Sequence, residues 1–131
     1  MRFLGFLLCF AIAASSQAVD RLHRDFWNGK YNDPKFGFNH LPSRLLVEAI
    51  AGRHPGDAID LGMSEGRNAI YLAQQGWRVT GVDLSDVGVA QAKKRSAELG
   101  VKLTAVIDDL DHYDFGHAGR DLITLFYMHG W

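Results

Sequence analysis

From position 43 onward, apolar and polar residues fall into short segments whose period switches between helix and strand. Ser43 precedes Leu45, Leu46, Val47, Ala49 and Ile50, an apolar stripe at helical spacing that Gly52 and Pro55 stop. Ala58 to Leu61 is a brief apolar run and reads as a strand. Asn68 to Gln75 returns to helical spacing through Ile70, Leu72 and Ala73, with Gly76 as the expected left-handed terminator and Trp77 folding back on the last turn. Arg78 to Val82 reads as the next strand, Ser85 as the cap of a helix running to about Leu99, and Gly100 as its end. Val101 to Ile107 and Asp121 to Met128 complete a set of four strands. Strands that alternate with helices over short connections require right-handed crossovers and a parallel sheet, expected to be covered on both faces. The fold class is therefore α/β, half of a doubly wound parallel sheet.

The first 42 residues follow other rules. Arg2 gives a positive start, Phe3 to Ala14 is uncharged and apolar, and Ser16-Gln17-Ala18 offers small residues at an export cleavage site. Residues 1–18 thus read as a signal peptide that directs export, the cytoplasm being the location if the signal is not used. The apolar core is shorter than the ~20 residues of a membrane-spanning helix, which argues against a stable membrane anchor. Cys9, the sole cysteine, lies inside it, so the mature chain has no thiol for catalysis, disulfide or zinc. Residues 19–42 carry Asn-Gly, Asp-Pro and Leu-Pro pairs and read as an irregular arm. Its Trp27, Tyr31, Phe36 and Phe38 are expected to anchor it to the core, with cover for a ligand pocket as the alternative.

Composition adds limits. A chain of 131 residues with 47% hydrophobic residues and three prolines has the make-up of one compact domain, here residues 43–131. A formal net charge of −1 gives no reason to expect a nucleic acid partner, and Lys93-Lys94-Arg95 reads as a solvated helix face. Asp108, Asp109, Asp111, His112, Asp114 and His117 lack an established metal-ligand spacing, so no metal is expected.

Ligands of open α/β sheets bind beyond the carboxyl ends of the strands, where Asp60 to Gly66, Asp83 and Asp108-Asp109 all fall. Gly62 and Gly66 let backbone approach a bound molecule closely and adopt positive φ, and the helix that follows offers unpaired amides. Asp83, just past the second strand, can accept hydrogen bonds from both hydroxyls of a ribose. Together these describe a nucleoside site.

The same residues carry a family resemblance. Asp60-Leu-Gly62-Met63-Ser64-Glu-Gly66-Arg-Asn68, followed by Val79-Thr-Gly-Val-Asp83-Leu84-Ser85, resembles the first two motifs of class I S-adenosylmethionine-dependent methyltransferases, with the tellurite-resistance-type branch nearest. Tyr71 to Trp77, Asp109-Leu110-Asp111, Tyr113 to Phe115 and Asp121 to Ile123 extend it, and the region of Trp27, Tyr31 and Pro42 echoes it. The resemblance implies a Rossmann-like sheet, S-adenosyl-L-methionine as cofactor and methyl transfer to a small-molecule substrate. It implies that Asp60, Gly62, Met63, Ser64 and Gly66 loop around the methionine part, that Asp83 takes the ribose, that Leu84 beside it belongs to the cofactor site, and that Asp109 and Leu110 flank the adenine. Two other readings stand beside it: an NAD(P)-binding oxidoreductase domain, and a noncatalytic nucleoside-binding module. Against the first, Gly62 and Gly66 do not give the Gly-x-Gly-x-x-Gly spacing of a pyrophosphate turn.

Ser64 departs from the family's glycine. Its β-carbon costs roughly 1 kcal/mol if φ is positive, while its hydroxyl offers a hydrogen bond to the cofactor. No catalytic residue is assigned: His129 with Tyr127 lies at the end of the fourth strand, and no Asn-Pro-Pro-Tyr motif supports amide or adenine-amine methylation. The family continues through three more strands, so the sheet is expected to be incomplete on its C-terminal side, as in a fragment. Leu122 to Met128 then reads as a central strand, buried on both faces by design and left bare, a hazard for self-association.

Overall fold

Residues 4–117 and 119–126 are described by a computed structural model, with side-chain surroundings from residue 16 onward. The elements are α1 (Leu4–Asn32), α2 (Arg44–Ile50), β1 (Asp57–Leu61), α3 (Arg67–Gln74), β2 (Arg78–Asp83), α4 (Asp86–Glu98), β3 (Leu103–Ile107) and β4 (Leu122–Leu125). All strand pairs are parallel and the sheet order is β3-β2-β1-β4. The α/β expectation is met.

Register decides what each face carries, because side chains alternate along a strand. Ala58, Val79, Leu103, Ala105 and Leu122 share one face and pack with Leu46 and Ile50 of α2, Ala69 and Leu72 of α3, and Val89 and Ala92 of α4. Ile59, Leu61, Val82 and Val106 share the other and meet Leu110 and Tyr113. Two right-handed crossovers that step the same way along a sheet place both helices on one side. Cover on both faces is thus corrected: among the described residues, α2, α3 and α4 lie on one face, and a loop shields part of the other.

Local signals account for most boundaries. Gly76 is left-handed at φ 90°, its amide donates to the Ala73 carbonyl at 3.1 Å and the Trp77 amide to the Leu72 carbonyl at 3.1 Å, a double closure that ends α3 and buries Trp77. Ser85 caps α4, its hydroxyl accepting from the Gly88 amide at 3.0 Å. Ser43 occupies the cap position of α2 without a side-chain cap bond; its amide instead donates to Asn68 Oδ1 at 2.8 Å, tying α2 to α3. The start of β4 is clamped to β1, the Asp121 amide donating to the Asp57 carbonyl at 2.7 Å and the Asp57 amide to Asp121 Oδ2 at 2.8 Å.

Two further expectations change. The arm is not irregular over residues 19–42: α1 runs unbroken to Asn32, through the Asn28-Gly29 pair, and irregular chain begins only at 33. Docking on α4 supplies what local propensity does not. β4 is shorter than the expected Asp121 to Met128, ending at Leu125, and among the described strands it is the expected bare edge, with Ile123 60% and Leu125 48% exposed. Tyr127, Met128 and His129 lie outside the described residues. No helix among the described residues is long and apolar enough to cross a membrane.

Candidate functional site

The chain leaves β1 at Leu61 and must reverse within five residues to enter α3. Three of those residues do so in the left-handed region: Gly62 at φ 65°, Ser64 at φ 61° and Gly66 at φ 85°. The turn is pinned to the second strand and to itself, the Met63 amide donating to the Val82 carbonyl at 3.0 Å and the Gly66 amide to the Met63 carbonyl at 2.9 Å. Met63 is buried over Gly81, where any β-carbon would overlap its sulfur. Ser64 is the one described residue other than glycine with positive φ. Its amide donates to Asp83 Oδ2 at 2.8 Å, which helps hold a conformation that costs a β-carbon roughly 1 kcal/mol.

Two carboxylates stand at adjacent strand ends on the helix-covered face. Asp60 is 2% exposed and accepts from the Thr124 hydroxyl of β4 at 2.7 Å. Burial pushes its pKa up to about 7, and the charge of Asp83 adds to that, while Thr124, the Ala69 amide and Arg67 pull the other way. Asp83 is 8% exposed and takes the Ser64 amide on Oδ2 and the Ser85 amide on Oδ1, both at 2.8 Å. Its pKa too is raised by burial, against the pull of those two amides. An ionised carboxylate has about four acceptor positions, so two on Asp83 remain for a diol. A ligand with hydroxyls and a positive charge complements these acceptors, so the residues fit a nucleoside that carries a cationic amino acid group.

The other expected site residues are placed differently. Leu84 contributes its carbonyl, which accepts from Arg24 Nε at 3.2 Å. Asp109 turns its carboxylate to the Asp111 amide at 3.0 Å, and Leu110 is buried against Ile59, Leu61 and Val82 on the opposite face of the sheet. The loop stays near the site through the Asp108 amide, which donates to the Asp83 carbonyl at 3.1 Å. Among the described residues no three histidine, aspartate, glutamate or cysteine side chains converge as a metal site. Tyr127 and His129 lie outside the described residues.

Sequence reasoning misses Thr124 and the α1 side chains Arg24 and Asn28 at this corner. Thr124 was legible in principle, since parallel pairing of β4 with β1 sets it opposite Asp60. Glu65 is a further omission: it is buried, its pKa raised by that burial, with Oε1 2.9 Å from Nδ1 of His40.

With the geometry in place, likeness to known proteins can be weighed. The methyltransferase-domain family model matches residues 58–131. The ribosomal RNA small subunit methyltransferase C of Alcanivorax borkumensis is 36% identical over 63 residues, covering 46% of this chain and 19% of that protein. The 2-heptyl-1-hydroxyquinolin-4(1H)-one methyltransferase of Mycobacteroides abscessus is 33% identical over 88 residues, covering 66% of this chain and 38% of that protein. The chain therefore spans well under half the length of either relative. A magnesium protoporphyrin IX methyltransferase from Synechocystis, solved with bound SAM, has the same fold, with a TM-score of 0.58 at 22% identity over 72% of this chain and 56% of that one.

Proposed function

Because the chain belongs to the methyltransferase-domain family, we propose that the β1–α3 turn and Asp83 bind S-adenosyl-L-methionine and that the domain presents its methyl group to a small-molecule acceptor. One observation carries the reading: the buried carboxylates of Asp60 and Asp83 flank a turn in which left-handed Gly62 and Gly66 carry no side chain. The bound cofactor supplies a methyl carbon made electrophilic by its sulfonium. Asp83 holds the ribose hydroxyls, Asp60 faces the cationic amino acid part, and Met63 with Gly62 and Gly66 shapes the wall beside it. Asp109 and Leu110 flank the adenine in this reading, and Leu84 belongs to the site beside Asp83. Catalysis of methyl transfer rests mainly on alignment of nucleophile and methyl group, which a fixed ribose and amino acid provide.

Within the family, the Asp60–Asn68 and Tyr71–Trp77 segments favour the tellurite-resistance-type branch. The apolar start and Ser16-Gln17-Ala18 support export with cleavage after Ala18, which leaves Arg24, Asn28 and Tyr31 in the mature chain. Calorimetry on the full chain with S-adenosylhomocysteine and with NAD tests the function. S-adenosylhomocysteine is expected to bind and NAD not to, and Asp83→Ala is expected to weaken binding by roughly 1–3 kcal/mol. Preference for NAD would point to an oxidoreductase domain, and equal weak responses to a noncatalytic nucleoside module.

A further inference from the structure

α1 reaches the nucleoside corner with one side chain per turn. Arg24 Nε donates to the Leu84 carbonyl at 3.2 Å, Asn28 Nδ2 to Asp86 Oδ1 at 2.6 Å, and the Tyr31 hydroxyl to Ser64 Oγ at 2.6 Å. Spacings of four and three put these residues on one face of the helix. From the other side, Ser85 Oγ donates to Asn28 Oδ1 at 2.5 Å and Gln91 Nε2 to the Tyr31 carbonyl at 3.0 Å.

Tyr31 has little room to shift. A β-carbon on Gly88 would lie 3.1 Å from its ring, and Phe38 stacks on it with centroids 4.8 Å apart. Its phenol is buried and near enough to Asp83 and Glu65 for their charges to add to burial in raising its pKa. The turn that would hold the methionine part is therefore bonded to α1, and the carboxylate that would take the ribose lies close enough for its charge to reach Tyr31.

We propose that α1 is a strap that closes over this corner, with the Tyr31–Ser64 hydrogen bond as its latch, and that cofactor entry requires the latch to open. The proposal rests on the cofactor reading of Asp83 and the turn. It also accounts for Ser64: a left-handed position favours glycine, and serine adds the one oxygen that Tyr31 needs. A glycine there would leave the phenol without this partner.

Four full-length proteins separate the possibilities: wild type, Tyr31→Phe, Ser64→Ala and the double variant. Ser64→Ala keeps the β-carbon and its left-handed cost, so it removes the hydroxyl alone, and Tyr31→Phe removes the phenolic oxygen alone. Hydrogen exchange is read over residues 24–32, and S-adenosylhomocysteine affinity by calorimetry. Each single variant is expected to exchange faster and to bind about three- to tenfold more tightly, with the double variant no tighter than either. Ligand is expected to speed exchange of 24–32 in the wild type. Weaker binding by the variants would make Tyr31 a wall of the ligand site, and ligand-slowed exchange would make α1 a cover for it; either overturns the latch. If wild type and variants bind equally, the strap alone falls, whereas binding by none removes the cofactor reading and with it anything for α1 to exclude.

Discussion

At the residue scale, Asp60 has the sharpest consequence. Its pKa moves from 3.8 in the unfolded chain to about 7 in the fold, chiefly because burial penalises the charge. The native state therefore holds this proton more tightly than the unfolded state. The favourable contribution is complete below pH 3.8, is lost as pH rises toward about 7, and the full shift amounts to a cost on the order of 4 kcal/mol above that. Asp83 and Glu65, raised by burial as well, act in the same direction. Asp60→Asn should then be more stable than wild type in urea unfolding at pH 8 and close to it at pH 4. Wild-type affinity for S-adenosylhomocysteine, whose amino group is cationic, should strengthen as pH rises from 6 to 7 and level off beyond. An affinity independent of pH would separate Asp60 from the ligand's charge. Asp60, Gly62, Gly66 and Asp83 of the candidate site were legible because an acid after a strand and glycines in a turn are local patterns. Tyr31 was legible only as one of the arm's aromatics and Thr124 only through the pairing of β4 with β1, since both meet the site across long stretches of chain and neither stands in a motif of its own.

At the scale of elements, caps and terminators read well and tertiary docking did not. Gly76 and Ser85 act within one turn of themselves, so their roles follow from neighbours in sequence. Residues 19–32 carry the turn-favouring Asn28-Gly29 pair yet form the end of α1, because Arg24, Asn28 and Tyr31 gain partners at Leu84, on α4 and in the β1–α3 turn that no local rule contains. Gly66 shows the same dependence between elements. It starts α3 at φ 85°, and a β-carbon there would lie 2.9 Å from the Ala92 β-carbon of α4. Gly66→Ala is expected to cost roughly 2–4 kcal/mol in chemical denaturation, from left-handed strain and overpacking together. In an Ala92→Gly background the same change should cost about 1 kcal/mol less, because the clash goes and the strain stays. Equal costs in both backgrounds would place the whole effect in the backbone.

At the scale of the molecule, the sheet is asymmetric. Helices α2, α3 and α4 bury one face, and on the other the loop of Leu110 and Tyr113 shields Ile59, Leu61 and Val82 but leaves Ile123 and Leu125 of β4 largely in solvent. Those two residues sit opposite Ile59 and Leu61 in register, so the exposed apolar strip continues directly from the core. β4 is also an edge among the described strands, and its outward N–H and C=O groups add a template for pairing to the apolar strip. The bare run was legible in the sequence, but which of its residues face solvent was not, because a buried central strand and an exposed edge strand share the same composition. Self-association through β4 should therefore appear as a mass that rises with concentration in light scattering. Ile123→Lys places a charge on the strip without touching the Asp60–Thr124 contact, since 123 and 124 point to opposite faces. It should lower the mass toward that of one chain and leave the unfolding midpoint nearly unchanged. A mass that stays high in this variant would move the association to another surface, with the exposed Leu22 and Phe26 of α1 as the next place to introduce a charge.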